Sequence, residues 1–167
     1  MPEKKTLERA AKAKREGKSP STQAGAFVKE QIDHVREGKH GAKSAKQAIA
    51  IGLSEARRSG VKTKAPRKGT ASEATRKKAA QDTKAAHRTK KSPSTESKAK
   101  RSATSTRVLK REGTKAASHK SLSRQTHAAA SRRSAADRSA AAKKGWATRR
   151  KNAAAKPKGA HTRHASR

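Results

Sequence analysis

The large apolar residues of this chain concentrate in residues 19–61, where they repeat at helical spacing. Phe27, Val28, Ile32 and Val35 stand at positions i, i+1, i+5 and i+8, which places them on one side of an α-helix. A second stripe repeats the i, i+3, i+4 spacing more regularly and consists of Ala45, Ala48, Ile49, Gly52, Leu53 and Ala56. The pattern predicts two consecutive amphipathic helices.

The residues at the ends of both stripes are typical of helix boundaries. Ser19 is suited to cap the first helix, with Pro20 at its first position, and Gly38 follows its last turn. Ser44 and Gln47 have the spacing of a capping box at the start of the second helix. The connection between the two is short, which favours antiparallel packing. The sequence therefore predicts an antiparallel helical hairpin over residues 19–63.

The core of this predicted hairpin is small. Its large members are Phe27, Val28, Ile32, Val35, Ile49 and Leu53. Gly60 ends the second helix, and Val61 is placed to fold back on Ala56. Burying a few large side chains barely offsets an ordering cost of roughly 1.5 kcal/mol per residue, and the chain has no cysteine for a disulfide. We therefore expect either a loosely formed hairpin or a homodimer that associates through these six residues.

The pattern on either side of the hairpin is polar. Residues 1–18 predict a charged helical arm in which Leu7 is the one large apolar residue. Residues 64–167 are rich in Lys, Arg, Ala and Ser, and such a composition predicts a long basic disordered tail. Within that tail, residues 70–89 and 134–152 are candidate helices that form on binding. The expected fold is mostly α with extensive disorder, in the order arm, hairpin and tail.

The charge of the chain indicates its class of partner. There are 46 Lys and Arg against 12 Asp and Glu, a net charge of +34, of which +26 falls after residue 63. A charge of this sign and size predicts a polyanion, and nucleic acid is the default. No apolar run is long enough to predict a transmembrane helix, and the first residues do not resemble a signal peptide. We therefore expect no membrane partner and a cytoplasmic, nucleoid location.

The basic residues of the tail are the predicted nucleic-acid-binding residues, because they can contact phosphates without a rigid surface for reading bases. They are Arg67, Lys68, Arg76, Lys77, Lys78, Lys90, Lys91, Arg101, Lys110, Arg111, Arg132, Arg133, Lys143, Lys144, Arg149, Arg150 and Lys151. Trp146 lies among them and can stack on a base, although an apolar contact within a transient helix is the more common role for such a residue.

Enzymatic chemistry is not indicated. Without cysteine there is no thiolate nucleophile and no cysteine-based zinc site. Of the seven histidines, His161 and His164 have a close spacing, but no carboxylate lies near them in the sequence. A catalytic set also needs a pocket that holds it rigidly, which a chain with so few apolar residues does not favour. We expect no enzyme activity, no cofactor and no metal.

Three segments of the first part of the chain support a resemblance. Residues 18–25 read Lys-Ser-Pro-Ser-Thr-Gln-Ala-Gly, residues 36–42 Arg-Glu-Gly-Lys-His-Gly-Ala, and residues 46–58 Lys-Gln-Ala-Ile-Ala-Ile-Gly-Leu-Ser-Glu-Ala-Arg-Arg. With these segments, residues 1–62 resemble a family of small basic bacterial proteins whose domain has no assigned function. The tail resembles in composition the Lys/Ala-rich tails of linker histones and bacterial histone-like proteins. The family implies no activity and no residue roles.

Three functions are compatible with the sequence. The first is sequence-independent DNA binding by a histone-like, nucleoid-associated protein that neutralises and compacts or bridges DNA. The second is an RNA- or ribosome-associated basic protein, since the same charge serves either polymer. The third is a protein-interaction module formed by the hairpin and localised by the basic tail. Charge favours the first two functions, and sequence alone does not separate DNA from RNA.

Overall fold

The computed structural model describes residues 2–87 and 97–154, except for the side chains of Lys98 and Arg101. In these ranges the chain forms helices and no β-strand, which confirms the mostly α fold. The helices are α1 (Lys4–Arg15), α2 (Pro20–Arg36), α3 (Ala45–Arg58), α4 (Glu73–Ala85), α5 (Lys98–Lys110), a 3₁₀ helix (Thr114–Ala117), α6 (His119–Ser131) and α7 (Ala135–Ala154). One compact unit runs to residue 125, and a second begins at residue 126.

The ends of α2 follow the sequence signals. The Ser19 hydroxyl accepts a hydrogen bond from the Thr22 N–H at 3.4 Å, and Pro20 is the first helical residue. After the last turn Gly38 takes a φ of 71°, in the left-handed region that glycine adopts without strain. The N–H of Lys39 then bonds the carbonyl of His34 at 3.0 Å. The helix thus ends in a Schellman motif with the predicted glycine in its left-handed position.

The start of α3 departs slightly from the predicted capping box. The Ser44 hydroxyl accepts from the Gln47 N–H at 3.3 Å, as expected. The Gln47 side-chain oxygen accepts from the N–H of Lys43 at 2.8 Å rather than from that of Ser44. The reciprocal half of the box is therefore shifted by one residue. At the other end the Val61 N–H bonds the Ala56 carbonyl at 3.0 Å, and Val61 is buried beside it.

Helices α2 and α3 pack against each other through the two predicted apolar stripes. Phe27 and Val35 are fully buried, whereas Val28, Ile32, Ile49 and Leu53 are half-buried. One apolar cluster contains Ala10, Ala24, Phe27, Ala56 and Val61, with Leu53 against it. A second contains Val35, Ala42, Ala48, Ala116 and Ala117, with Ile32 against it. The core is therefore split into two clusters along the α2–α3 contact.

Segments that the sequence analysis placed outside the hairpin complete this core. Helix α1 packs on α2 and buries Ala10, while α4 packs on α3. The 3₁₀ helix lies against both α2 and α3 and buries Ala116 and Ala117. These contributors are alanines, whose weak hydrophobic signal does not distinguish a buried position from an exposed one. We expected a second copy of the chain to pack against the predicted hairpin, and these segments of the same chain now contact it. The homodimer stays a prediction.

The connection between α2 and α3 approaches the segment after α5 very closely. The N–H of Gly41 donates to the carbonyl of Leu109 at 2.9 Å, and the N–H of Ala42 donates to that of Gly113 at 3.2 Å. A side chain at Gly41 would collide with the carbonyl oxygen of Glu112. Glycine is therefore required at this position for a close backbone approach. These two hydrogen bonds tie residues 109–113 to the connection.

The second unit consists of the end of α6 and α7 in its described part. Every residue from 131 to 154 is exposed. The hydroxyl of Ser134 accepts from the N–H of Asp137 at 3.1 Å and caps α7. Helices are thus present in both blocks of the tail for which the sequence predicts them. Helix α7 covers most of residues 134–152, and α4 lies within residues 70–89. Residues 88 and 89 lie outside the described residues. Disorder was predicted for all of residues 64–167. Helices α4 to α7 lie in the described part of this range, and residues 88–96 and 155–167 lie outside the described residues.

Candidate nucleic-acid interface

The described part of the second unit is strongly basic and fully open to solvent from residue 131 onward. Between residues 126 and 154 there are eight Lys and Arg residues and one acidic residue, Asp137. Seven of the eight were predicted as binding residues, namely Arg132, Arg133, Lys143, Lys144, Arg149, Arg150 and Lys151. The eighth, Arg138, was not predicted because it is isolated in sequence. All eight are exposed.

The basic residues of α7 point in three directions around the helix. At about 100° per residue, positions seven or eleven apart lie nearly over one another. Lys144 and Lys151 therefore share one face, Lys143 and Arg150 a second, and Arg138 and Arg149 a third. Arg138 also donates to the carbonyl of Arg133 at 2.8 Å. The charge thus surrounds α7 rather than forming one face.

Trp146 lies within this basic helix. Its exposed fraction is 66%, so it makes little apolar contact. This exposure does not favour the packing role that we considered the more common one for such a residue. It leaves the indole free to meet a ligand on the same helix as the basic residues.

The predicted binding residues of the first unit have varied surroundings. Arg67, Lys68, Lys77, Lys110 and Arg111 are exposed. Their neighbours Arg76 and Lys78 already have partners within the chain. Lys90 and Lys91 lie outside the described residues, and Arg101 belongs to α5 with its side chain outside them. Five of the predicted residues of this unit are therefore open to solvent, whereas two others are already engaged within the chain.

Arg76 and Lys78 are engaged by carboxylates and a carbonyl. Arg76 donates to Glu73 Oε2 at 2.7 Å and to the carbonyl of Pro66 at 3.3 Å. The ammonium of Lys78 lies 3.6 Å from Oδ1 of Asp82. These two side chains are less available to phosphates than their exposed neighbour Lys77.

Asp82 is the main polar link between α3 and α4. It is 3% exposed, and it accepts hydrogen bonds from Ser54 at 2.6 Å and from Arg58 at 3.0 Å. Burial alone would raise the pKa of Asp82, but the hydrogen bonds from Ser54 and Arg58 and the charges of Arg58 and Lys78 outweigh burial and lower it. Asp82 therefore stays ionised and holds α4 on α3. The sequence does not reveal this role, because an aspartate on a polar helix carries no burial signal.

A polar cluster also joins α1 to α2. Nε2 of His34 lies 3.0 Å from Oε1 of Glu3 and 3.9 Å from Oε1 of Glu30. The N–H of Glu3 donates to Glu30 at 2.9 Å, and the ammonium of Lys39 lies 3.4 Å from Glu3. Hydrogen bonds from His34 and Lys39 lower the pKa of the Glu3 carboxyl, so it is ionised. In the described part of the chain, Glu3, Glu30 and His34 are the group of side chains placed to hold a metal ion.

A second polar network lies between α2, α3 and their connection. The Gln31 amide donates to Glu55 at 2.8 Å, and its oxygen is 3.1 Å from Nε2 of His40. Burial raises the pKa of Glu55, and the charge of Glu30 adds to this increase. Both ring nitrogens of His40 have partners, because Nδ1 lies 3.0 Å from the Gly41 carbonyl oxygen. This network positions the connection between α2 and α3.

An apolar cavity of about 590 Å³ lies between α3 and α5. Its apolar lining includes Ile51, Val108 and Leu109, and Val108 is 53% exposed. Ile51 is not part of the apolar stripe that the sequence predicts for α3. A partner side chain could enter this cavity from solvent.

The comparison with known families agrees with the first part of the chain being a domain of unassigned function. Residues 5–69 match a family of unknown function, DUF6496. No curated protein and no solved structure matches the chain. Among the described residues, no helix is both long and apolar enough to cross a lipid bilayer.

Proposed function

We propose that this protein binds nucleic acid without sequence preference, with DNA as the favoured polymer. The observation that carries the proposal is the basic segment of residues 126–154, in which eight basic residues accompany one acidic residue and all eight are exposed. Cations at such density bind the phosphate backbone and release its condensed counterions. The net charge of +26 after residue 63 supports the same role for the rest of the tail.

The arrangement of charge around α7 supports phosphate contact rather than base reading. A recognition helix presents one face to the major groove, and its specificity comes from a few side chains held against base edges. Here the basic pairs point in three directions, so no single face carries them all. At 1.5 Å per residue α7 is about 30 Å long, or roughly nine base pairs. It can lie along one duplex and still present cations to a second.

Bridging of duplexes would be stronger if two chains paired. The expected homodimer uses the predicted hairpin face, of which Val28, Ile32, Ile49 and Leu53 are half-buried within one chain. A pair would carry two basic segments and act in the manner of a histone-like, nucleoid-associated protein. Sedimentation equilibrium of the wild type and of Ile49→Asp tests this, and a concentration-independent monomer in the wild type would exclude the pairing.

The binding itself is tested by a salt titration with a 30-base-pair duplex. If six to ten phosphates are engaged, affinity falls about 10³–10⁵-fold between 50 and 200 mM salt. Replacement of Arg149, Arg150 and Lys151 by Gln removes up to three phosphate contacts and reduces the log–log slope by about 2–3. The matched control replaces Lys12, Lys14 and Arg15 on α1, which changes the net charge equally.

The two triple variants separate a local interface from a general charge effect. We expect the α7 variant to lose clearly more affinity and slope than the α1 variant, because its cations lie in the segment with almost no acidic residues. Equal losses in both variants, or a preferred motif in a selection from random duplexes, would contradict the proposal.

RNA is the alternative polymer, and the nuclease sensitivity of copurified material distinguishes the two. DNase should release the bound nucleic acid, whereas release by RNase alone would favour an RNA- or ribosome-associated protein. The cavity beside Ile51 and Val108 favours a further candidate, a protein-interaction module, because it offers an apolar surface open to solvent. A partner that remains bound after nuclease treatment would support that module.

A further inference from the structure

The polar cluster of Glu3, Glu30 and His34 contains a buried carboxylate oxygen that has no role in the proposed nucleic-acid binding. Glu30 is 6% exposed, and its Oε2 atom is buried without a hydrogen-bond partner. Its other oxygen is used by the N–H of Glu3. A buried carboxylate oxygen that is left unpaired costs free energy, and buried charges are normally paired or bound to metal ions. The Oε2 atom of Glu30 is therefore available to a positively charged ligand.

The neighbouring cations do not pair with this oxygen. Lys39 lies 3.4 Å from Glu3 and 3.0 Å from Glu37, and it is largely exposed. Nε2 of His34 lies 3.0 Å from Oε1 of Glu3. It lies 3.9 Å from Oε1 of Glu30, which is the oxygen that already has a partner. The unpaired oxygen of Glu30 is thus met by neither side chain.

The spacing of the donor atoms fits a small divalent cation. One donor atom from each of the three residues lies within 4.8 Å of the others. In a tetrahedral zinc site with bonds of about 2.0–2.1 Å, neighbouring donors are about 3.4 Å apart. The separations of 3.0 and 3.9 Å from Nε2 of His34 lie on either side of that value. Small side-chain rotations would bring all three residues to coordination distance.

We propose that Glu3, Glu30 and His34 bind a divalent transition-metal ion, with Zn²⁺ as the best-matched species. One imidazole and two carboxylates are a ligand set that zinc accepts, and the two negative charges balance the charge of the ion. The ion replaces the hydrogen bond between His34 and Glu3. A rotation of the Glu30 carboxyl group that turns Oε2 toward the ion would also give this unpaired oxygen a partner. A water molecule completes the fourth position, and Lys39 keeps its contact with Glu37.

Such an ion would act as a staple between α1 and α2. Glu3 lies immediately before α1, while Glu30 and His34 are one turn apart on α2. A metal at this point fixes the start of α1 against α2, in a chain without disulfides. Metals and disulfides are the usual supports of a small core, because binding to the folded state alone raises its stability.

The test is zinc titration of the full-length protein, followed by calorimetry and thermal unfolding. We expect a site with one Zn²⁺ per chain, an increase in melting temperature with zinc, and no comparable effect of Mg²⁺, which favours all-oxygen sites. Glu30→Gln and His34→Gln should each weaken this site at least tenfold. The matched controls are Glu37→Gln, which removes a carboxylate that lines the same small pocket as the three ligands, and His119→Gln, which removes an exposed imidazole. Both variants should retain the site.

A direct measurement keeps the proposal testable even where a variant folds poorly. Zinc added to the wild type should shift the NMR signals of the His34 imidazole much more than those of the exposed His119. Absence of binding, or retained binding in a well-folded Glu30→Gln variant, would overturn the proposal. A shift confined to histidines other than His34 would do the same. None of these readouts involves nucleic acid, so the outcome is independent of the proposed function.

Discussion

Gly52 of α3 lies directly against the backbone of Val28 in α2. A Cβ atom built on Gly52 would stand 2.7 Å from the Cα of Val28 and 2.9 Å from the carbonyl oxygen of Phe27. Real Cβ atoms do not approach backbone atoms so closely. The two helices therefore meet at a point where glycine is required, and the depth of their contact depends on the absence of a side chain.

Gly52→Ala should destabilise the protein, because the added methyl group must push two helix backbones apart. We expect a loss of about 1–3 kcal/mol in the free energy of unfolding, as for other overpacked cores. The control is Gly25→Ala in α2, where nothing lies within 4 Å of the new atom. That variant should be stabilised by up to about 1 kcal/mol, since alanine is the better helix former. Chemical denaturation measures both, and equal effects would show that the close contact is absent.

Asp82→Asn should loosen α4 from α3. The substitution weakens the hydrogen bonds from Ser54 and Arg58 and removes the ion pair, for an expected loss of about 1–3 kcal/mol. Glu73→Gln, at an exposed position on the same helix, should change stability by less than about 0.5 kcal/mol. Denaturant titration at pH 7 provides the comparison.

The same carboxylate predicts how stability depends on pH. Because the folded state lowers the pKa of Asp82, its contribution is complete above the ordinary aspartate pKa of about 3.9 and is lost as pH falls through the lower folded value. The stability difference between wild type and Asp82→Asn should therefore shrink in acid. A difference that stays constant from pH 7 to pH 2 would show that Asp82 is not held by charge.

Ala117→Asp should unfold much of the first unit, although residue 117 lies in the region whose composition predicts a disordered tail. Ala117 is fully buried against Val35 and Ala48, so the substitution places an unpaired charge in the core. We expect a loss of at least about 2 kcal/mol. Ala129→Asp, at an exposed position of α6, is the matched control and should have little effect. Similar helicity and melting curves for both variants would indicate that the 3₁₀ helix is not part of the core.

Trp146 provides a spectroscopic test of α7, because it is the one tryptophan of the chain. Its indole is largely exposed, so binding of DNA to the surrounding cations should quench and shift its emission. The change should reverse on addition of salt, with the same slope as the affinity. Trp146→Leu should reduce binding to single-stranded DNA about 5–100-fold, as expected for a stacking residue, and affect duplex binding less. Unchanged emission at saturating DNA would exclude α7 from the interface.

The sequence by itself determined the local structure of the first part of the chain. Periodicity located α2 and α3, and the signals at Ser19, Gly38, Ser44 and Gly60 marked their ends. These features are local, because a cap or a glycine turn depends on a few neighbouring residues and needs no distant partner. The composition also determined the excess of positive charge that underlies the proposed function.

The tertiary structure decided which polar and small residues are buried. Asp82, Glu30 and Ala117 look like surface residues in sequence, since aspartate, glutamate and alanine are common on exposed helices. Their burial follows from contacts between segments 24–81 residues apart, including the bonds from Ser54 to Asp82 and from Arg36 to the Ala117 carbonyl. A periodic pattern reports which face of a helix is apolar. It does not report which distant segment covers that face, because many alanine-rich segments could do so, and the fold selects among them by shape and by the pairing of buried charges.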